Sequence, residues 1–461
     1  MKITRRRLVE GAGATALAAL GLDRVVERLG GATPSAAAAR PEQHVLDRRP
    51  VVVDEGVEVV VPPLHHRVVT ARVKVSPSEL RHARKEFEHA LAAFERDGGP
   101  AVTVAWGAPY FRRLVPAQAR REIPIDRRAS GVRHRTVSVL EDAERFPSDP
   151  PDALLEQNDV AILLRGDDRQ ALVHAQQRLT GELPDLFAPT SVRTGMIGGG
   201  FGGRTSLPKR AATAARVRGG SLIPATAELF LGFTSTVRRA VGPPGIANFE
   251  TLGYNDLRGG YFAGGTHMHL SHLYENLLAW YLDFDHNERA AAMFRPGIEV
   301  AAGRQTVRQS AADVETAVDV QRGYERFHRI GHAGAIQSAS RLERDVVAPD
   351  GTLYRKGTAV PIRADFNTLD NPFAWTAHPE RDRFDPRAQP GVHFVVFNPS
   401  SDDFRRVRLA MDGVLPNGVR LDLPPRSIGQ GVNSVLRTTH RQNFLVPPRA
   451  HRSFPLSELR A

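Results

Sequence analysis

The sequence predicts an α+β protein built as duplicated ferredoxin-like halves with antiparallel sheets. The main observation is one βα unit that occurs twice, as NDVAILLRGDDRQALVHAQQRLTG (158–181) and GVHFVVFNPSSDDFRRVRLAMDG (391–413). Each copy has an apolar strand, a turn with two adjacent aspartates, and a helix that stops at glycine. A unit repeated so far apart indicates a duplicated architecture, in which each half is a βαβ–βαβ unit.

The remaining elements of the first half follow in order along the chain. RVVTARVKV (67–75) alternates and is rich in β-branched residues, which predicts a strand. The segment 76–99 predicts a helix, with Ser76 as the N-cap and Pro77 at the first helical position. AVTVAWG (101–107) predicts the next strand, and 108–157 is rich in loops.

The second half contains two segments that carry histidines. Residues 264–294 predict a strand that passes into a helix. Residues 313–330, DVETAVDVQRGYERFHRI, predict an amphipathic helix. His328 is therefore expected on this helix, and His332 just past its end.

Composition excludes several kinds of function. The chain of 461 residues has a formal charge of +11, carried mainly by arginine, but it shows no clustered basic face with interleaved aromatic residues. Nucleic-acid binding is therefore not expected. With no cysteine, thiolate sites, iron–sulfur clusters and disulfides are excluded, so a metal must be held by His, carboxylate, Tyr or Met.

The N-terminus predicts a twin-arginine signal. Arg5 and Arg6 precede a short, weakly apolar run rich in Ala and Gly, and SAAAAR (35–40) offers a cleavage point after Ala39. The run is too short to cross a bilayer comfortably, so no stable membrane anchor is expected. We expect the twin-arginine translocase to export the protein to an extracellular, periplasmic or cell-envelope location, often with a cofactor already inserted.

The predicted domains follow from this organisation. Residues 1–40 form the signal peptide and a flexible segment, 41–235 the N-terminal ferredoxin-like half, and 236–461 the C-terminal half.

Two groups of histidines are candidate ligands. THMHLSH (266–272) places His267 and His269 on one face of a strand with His272 nearby, which is compatible with zinc or copper. His328 and His332 have helical spacing, which leaves open a metal pair, one axial ligand, or two structural histidines. The paired aspartates at the helix starts are interpreted as caps.

An ordered set of motifs resembles the dye-decolorizing peroxidase superfamily, in particular a divergent, twin-arginine-exported branch. These motifs are the two repeated segments above together with ELFLGFTSTVRR (228–239), FAGGTHMHLSHLYENLLAWY (262–281), RIGHAGAIQSASR (329–341) and VPIRADFN (360–367). The resemblance implies a fold of the dimeric α/β-barrel type with haem b in the C-terminal half. It also implies hydrogen peroxide and an unknown reducing donor as substrates, and association into a homo-oligomer.

The resemblance also implies roles for individual residues. His332 matches the proximal haem-iron ligand, and His328 has no counterpart. Arg363 matches the distal arginine that faces peroxide, with Arg355 a less good match, and Asp365 lies near the distal face.

One position departs from the family pattern. The G-x-x-D-G motif supplies a distal aspartate, but GFTST (232–236) has Ser235 in its place and Thr236 at the second glycine. A serine hydroxyl cannot act as a proton acceptor at neutral pH. The sequence therefore predicts an exported haem protein that oxidises its donor weakly. The alternatives are a non-catalytic haem- or ligand-binding protein on the same scaffold, or a histidine-ligated metal protein.

Overall fold

A computed structural model describes residues 40–46, 49–54, 56–96, 99–234, 246–305, 307, 314–372 and 388–460. The predicted signal peptide up to Ala39, and also Ser235 and Thr236 with the domain boundary between them, lie outside these residues. In the part of the chain that is described, no helix combines the length and apolarity needed to cross a membrane.

The first half contains the predicted strand, helix, strand and βα unit in the predicted order, together with elements that the sequence did not predict. Its strands are β1 (Val51–Asp54), β2 (Val57–Val60), β3 (His65–Val73), β4 (Ala101–Gly107), β5 (Ile125–Asp126), β6 (Leu154–Leu155), β7 (Val160–Gly166) and β8 (Phe187–Met196). Its helices are α1 (Leu80–Arg96), α2 (Ala108–Leu114), α3 (Pro116–Glu122), α4 (Arg127–Arg133), α5 (Arg169–Gly181) and α6 (Leu207–Ala214).

The second half repeats the strand pattern with a longer helical insertion. Its strands are β9 (Asn255–Asp256), β10 (Thr266–Glu275), β11 (Val346–Val347), β12 (Leu353–Tyr354), β13 (Ile362–Arg363), β14 (Phe366–Thr368), β15 (Gly391–Asn398) and β16 (Leu436–Val446). Its helices are a π-helix (Ala279–Asp283), α7 (His286–Met293), α8 (Ala317–Phe327), α9 (His332–Ser340) and α10 (Ser401–Met411).

The strand order confirms the duplication. In the first half the strands lie in the order β8-β3-β7-β4, and in the second half in the order β14-β15-β10-β16. Within each set the neighbouring strands are antiparallel. When the four core strands of each half are numbered along the chain, the two half-sheets have the same spatial strand order. This is the strand order of the ferredoxin-like βαβ–βαβ unit. The two repeated segments form β7–α5 and β15–α10, which occupy equivalent places.

Two short seams join the half-sheets into a closed barrel. At one seam β4 pairs with β16 through Trp106 with Leu445 and Gly107 with Phe444, and at the other β8 pairs with β14 through Met196 with Asn367. Closure removes the open edges that each half-sheet would otherwise present.

Asn367 reinforces the second seam. Its side-chain amide donates to the carbonyls of Met196 and Glu228, each at 3.0 Å, and its Oδ1 accepts from the Phe230 amide at 2.8 Å. Gly195 permits the close approach there, because a Cβ at this position would lie 2.1 Å from the Asn367 carbonyl oxygen. The fully buried Asn367 therefore fixes the chain at 228–230 against the barrel.

Some predicted boundaries were wrong. Helix α1 begins at Leu80 rather than after Ser76, because residues 77–79 form a turn in which Glu79 accepts hydrogen bonds from the amide and hydroxyl of Ser76. The predicted loop region 108–157 contains the three short helices α2 to α4. Residues 264–294 pass from a strand into a π-helix before α7 begins.

Candidate functional site

The two histidines of YERFHRIGHAGAIQ lie at the ends of two different helices. His328 is the C-cap of α8 and has a left-handed backbone with φ of 52°. His332 is the first residue of α9. The prediction of His328 within a helix and His332 just past it was therefore wrong, because the left-handed residue ends α8 and the chain turns into a new helix. His328 is exposed, whereas His332 is partly buried.

The start of α9 is held by close backbone packing. Gly334 donates its amide to the Phe294 carbonyl at 2.9 Å. At Gly331 a Cβ would lie 2.3 Å from that same carbonyl oxygen, so a larger residue would displace the helix start. The position of His332 is thus set by main-chain contacts.

The imidazole of His332 is uncharged at neutral pH. Its Nδ1 is buried and has no hydrogen-bond partner among the described residues. Burial, together with the positive charges of Arg363 and Arg408, lowers the pKa of His332 to about 4. A neutral imidazole is the form that binds a metal ion or haem iron.

Arg363 and Asp365 lie together on one face of the second half-sheet. Arg363 pairs with Val396 of β15, and its Nε lies 3.8 Å from Oδ1 of Asp365. Both side chains are partly buried, with 26% and 10% of their surface exposed. Because the charge of Arg363 also acts on His332, the three predicted site residues belong to one electrostatic neighbourhood.

Two aromatic residues of the π-helix hold the loop that leads to Ser235. Trp280 donates its indole N–H to the Leu231 carbonyl at 2.8 Å, and Tyr281 donates its hydroxyl to the Phe230 carbonyl at 2.6 Å. π-Helices are rare and are frequently found at functional sites. These two hydrogen bonds therefore anchor the loop at Phe230 and Leu231, shortly before Ser235 and Thr236, which lie outside the described residues.

Two buried glutamates beside Asp365 were missed by the sequence reasoning. Glu275 and Glu228 are 3% and 4% exposed, and each has a buried carboxylate oxygen without a hydrogen-bond partner among the described residues. Burial raises the pKa of each carboxyl to about 8, with a smaller contribution from the charge of Asp365 in both cases and from that of Asp54 for Glu228. No sequence motif identifies either residue, because the groups that surround each carboxyl come from distant parts of the chain.

The histidines of β10 form no metal site in the described part of the chain. His269 stacks on Phe404 of α10, with ring centroids 3.4 Å apart, and its Nδ1 is 2.7 Å from Oδ1 of Asn443. His272, an odd number of residues away, points to the opposite face and contacts His393. Among the described residues no group of three or more His, Cys, Asp or Glu side chains is arranged to hold a metal ion.

His267 gives a testable pH dependence of stability. It is fully buried, and burial lowers its pKa from 6.5 to about 3. The unfolded chain therefore binds a proton at this residue that the folded protein does not, so stability falls as the pH decreases below 6.5. When the pH is lowered from 6.5 to 5, the free energy of unfolding should fall by about 2 kcal/mol less in His267→Asn than in the wild type.

Urea unfolding at both pH values measures this difference. His89→Asn, at an exposed position on α1, is the control and should leave the pH dependence unchanged. An identical pH dependence in wild type and His267→Asn would contradict the prediction.

The sequence matches one family, and the function of that family is unknown. Residues 63–448 match the model of a family described as a family of unknown function (DUF7405). No curated protein matches the chain.

Comparison with solved structures relates the fold to dyp-type peroxidases. A protein from Shewanella oneidensis, described as a candidate dyp-type peroxidase, is 13% identical with a TM-score of 0.50, over 88% of this chain and 98% of that one. The encapsulated DyP-type peroxidase from Mycobacterium smegmatis is 10% identical with a TM-score of 0.49, over 86% and 96%. A DypB variant from Rhodococcus jostii RHA1 in complex with heme is 14% identical with a TM-score of 0.48, over 90% and 99%. The first of these likenesses establishes the fold, and the chemistry has to be argued from the site.

Proposed function

This chain belongs to the DUF7405 family, whose function is unknown, and we propose from its own site that it is an exported haem protein of the dye-decolorizing peroxidase type. It oxidises an unidentified donor with hydrogen peroxide, at a rate limited by the residue at position 235. The shared fold supports this proposal, and His332 carries it.

The observation that carries the proposal is the state of the His332 ring. It is neutral at pH 7 and partly buried, its Nδ1 has no hydrogen-bond partner in the described residues, and its backbone is fixed by α9. In a chain without cysteine, such an imidazole is the most suitable axial ligand for iron. Other histidines of the described residues also have buried ring nitrogens without a partner, and what sets His332 apart is that the charge of Arg363, the arginine paired with Asp365, acts on its ring.

The residues around His332 fit haem b. His332 would hold the iron, and Arg363 would lie where negative charge develops on peroxide. Haem bound there would supply the electrons that peroxide reduction requires. The guanidinium of Arg363, oriented by Asp365, binds and orients the peroxide and stabilises charge on the departing oxygen.

Export fits the same proposal. The signal at residues 1–40 contains Arg5 and Arg6, and the twin-arginine translocase carries folded proteins. A haem that is inserted before transport would therefore reach the cell envelope, periplasm or exterior with the protein.

The test is the ultraviolet–visible spectrum of the protein produced with a haem supply. We expect one haem per chain, a Soret band, and slow oxidation of a phenol or dye after hydrogen peroxide is added. The apoprotein provides the baseline. A protein that takes up no haem under these conditions would refute the proposal.

A second candidate function is a haem-binding protein without turnover on the same scaffold. The presence of serine at position 235 favours it, because a hydroxyl group cannot accept a proton at neutral pH. A Soret band with no donor oxidation, in both wild type and Ser235→Asp, would select this alternative.

A further inference from the structure

The interior of the barrel contains a buried arginine for which the proposed function gives no role. Arg165 of β7 is 4% exposed, and the partners of its guanidinium among the described residues are uncharged. We propose that Arg165 and two neighbouring histidines, His44 and His66, bind a small monovalent anion of the chloride type inside the barrel. This proposal does not depend on haem binding.

The strand register directs Arg165 into the barrel. It lies opposite His66 on β3, and the next pair on the same face, two residues along each strand, is Leu163 with Val68. Leu163 and Val68 belong to a buried cluster that also contains Phe397 of β15, in the other half of the chain. Side chains from both half-sheets therefore meet on this face, and Arg165 and His66 lie on it too.

Aromatic contacts place the three groups against one wall of the interior. Cζ of Arg165 lies 5.9 Å from the ring centroid of Phe397, and the ring centroid of His44 lies 5.4 Å from the same point. His66 stacks on Phe366, with ring centroids 4.7 Å apart. The charge of Arg165 acts on both imidazoles. The guanidinium and the two imidazoles are therefore neighbours.

The positive charge of Arg165 has no counter-ion among the described residues. Its Nη2 donates to the His44 carbonyl at 3.2 Å and to the Thr103 hydroxyl at 3.4 Å, and its buried Nε has no hydrogen-bond partner in the described part of the chain. No described carboxylate contributes to the electrostatic environment of Arg165, His44 or His66. Burial lowers the pKa of Arg165 to about 10, so the guanidinium stays charged at neutral pH.

The two histidines add hydrogen-bond donors to the guanidinium. Burial and the charge of Arg165 lower the pKa of His44 to about 3 and that of His66 well below 6.5, so both rings are neutral at pH 7. A neutral imidazole keeps one N–H donor. Although the amide of Asn248 lies near His44, neither ring nitrogen of His44, nor Nδ1 of His66, has a hydrogen bond of normal geometry among the described residues.

The chemistry of this set selects the kind of ligand. An unpaired charge in an apolar interior is costly, and one guanidinium requires one negative charge. The aromatic surroundings favour a monovalent ion that gives up its hydration water readily, such as chloride, over the more strongly hydrated phosphate or sulfate. A water molecule could accept the same hydrogen bonds but could not neutralise Arg165. The bound anion would also tie the segment around His44 to the barrel.

Thermal unfolding of the full-length protein tests for the anion. Sodium gluconate is replaced stepwise by sodium chloride at constant ionic strength, because gluconate is too large to enter the barrel. An ion that binds only the folded protein stabilises it by mass action. Once the site is saturated, we expect the melting temperature of the wild type to rise by about 1 to 2 °C for each tenfold increase in chloride.

Two arginine variants assign the effect to this site. Arg165→Met should lose the chloride response and be at least as stable as the wild type in gluconate, because the buried charge without a counter-ion is gone. Arg452→Met is the matched control. The Arg452 side chain is also buried, at 2% exposed, but it pairs with Glu88 and Glu95, so its replacement should leave the chloride response unchanged.

Bromide locates the ion directly and requires no variant. Wild-type crystals grown in sodium bromide should show an anomalous-scattering peak in contact with the Arg165 guanidinium and the rings of His44 and His66. This measurement decides the question even if Arg165→Met fails to fold. A water molecule at that position, bromide at surface sites only, or the same chloride response in wild type and Arg165→Met would each overturn the proposal.

Discussion

Replacing His332 by alanine should abolish the axial ligation of haem iron. The neutral ring at the start of α9 is the ligand in the proposal, and alanine provides no atom that can bind iron. We expect haem affinity to fall more than about 100-fold, because even changes in the partners of a ligand cost 10- to 100-fold. The measurement is haem titration of the apoprotein followed by the Soret band.

The His332 experiment has an internal rescue. His332→Gly leaves space for free imidazole, which should restore much of the Soret band if the loss concerns ligation rather than folding. His328→Asn is the control, because asparagine tolerates the left-handed backbone at that exposed position. The same Soret band in wild type and His332→Ala would refute the ligand assignment.

Replacing Arg363 by alanine should leave haem bound but remove most of the reaction with hydrogen peroxide. The guanidinium is the positive group that the structure places beside Asp365 and within electrostatic reach of His332. Loss of one group that stabilises developing negative charge typically reduces a rate by about 100- to 1000-fold. Stopped-flow absorbance after addition of peroxide measures this rate.

Arg355 provides the control for Arg363. Its side chain is 73% exposed and pairs with Asp345, so Arg355→Ala should react like wild type. Arg363→Lys should recover only part of the rate, because an ammonium group lacks the planar fork of donors. A peroxide rate in Arg363→Ala equal to that of wild type would show that this arginine plays no part in the reaction.

The sequence was sufficient to predict the duplication because the signal is local. The apolar strands β7 and β15 and the helices that follow them are continuous segments, so their residue pattern survives in the sequence. Barrel closure is different. It depends on pairs such as Trp106 with Leu445. These residues are far apart in the chain, and the sequence around each gives no indication of its partner.

The candidate site shows the same division. His332, Arg363 and Asp365 were predicted by resemblance, and the structure places Arg363 and Asp365 together on the second half-sheet, where the charge of Arg363 acts on His332 at the start of α9. Their proposed roles are tested only by the experiments above. The burial of Glu228 and Glu275 could not be predicted, because it depends on how distant parts of the chain pack around them rather than on any motif.

The two seams of the barrel impose an order of events on biosynthesis. When the ribosome has completed β8, the first half-sheet still has β4 and β8 as open edges, ready to pair with another chain. One edge is covered when β14 arrives, and the other only after β16 (Leu436–Val446) has been made. The nascent chain therefore keeps an unpaired strand edge until β16 has been synthesised, and a product truncated before β16 would expose that edge permanently.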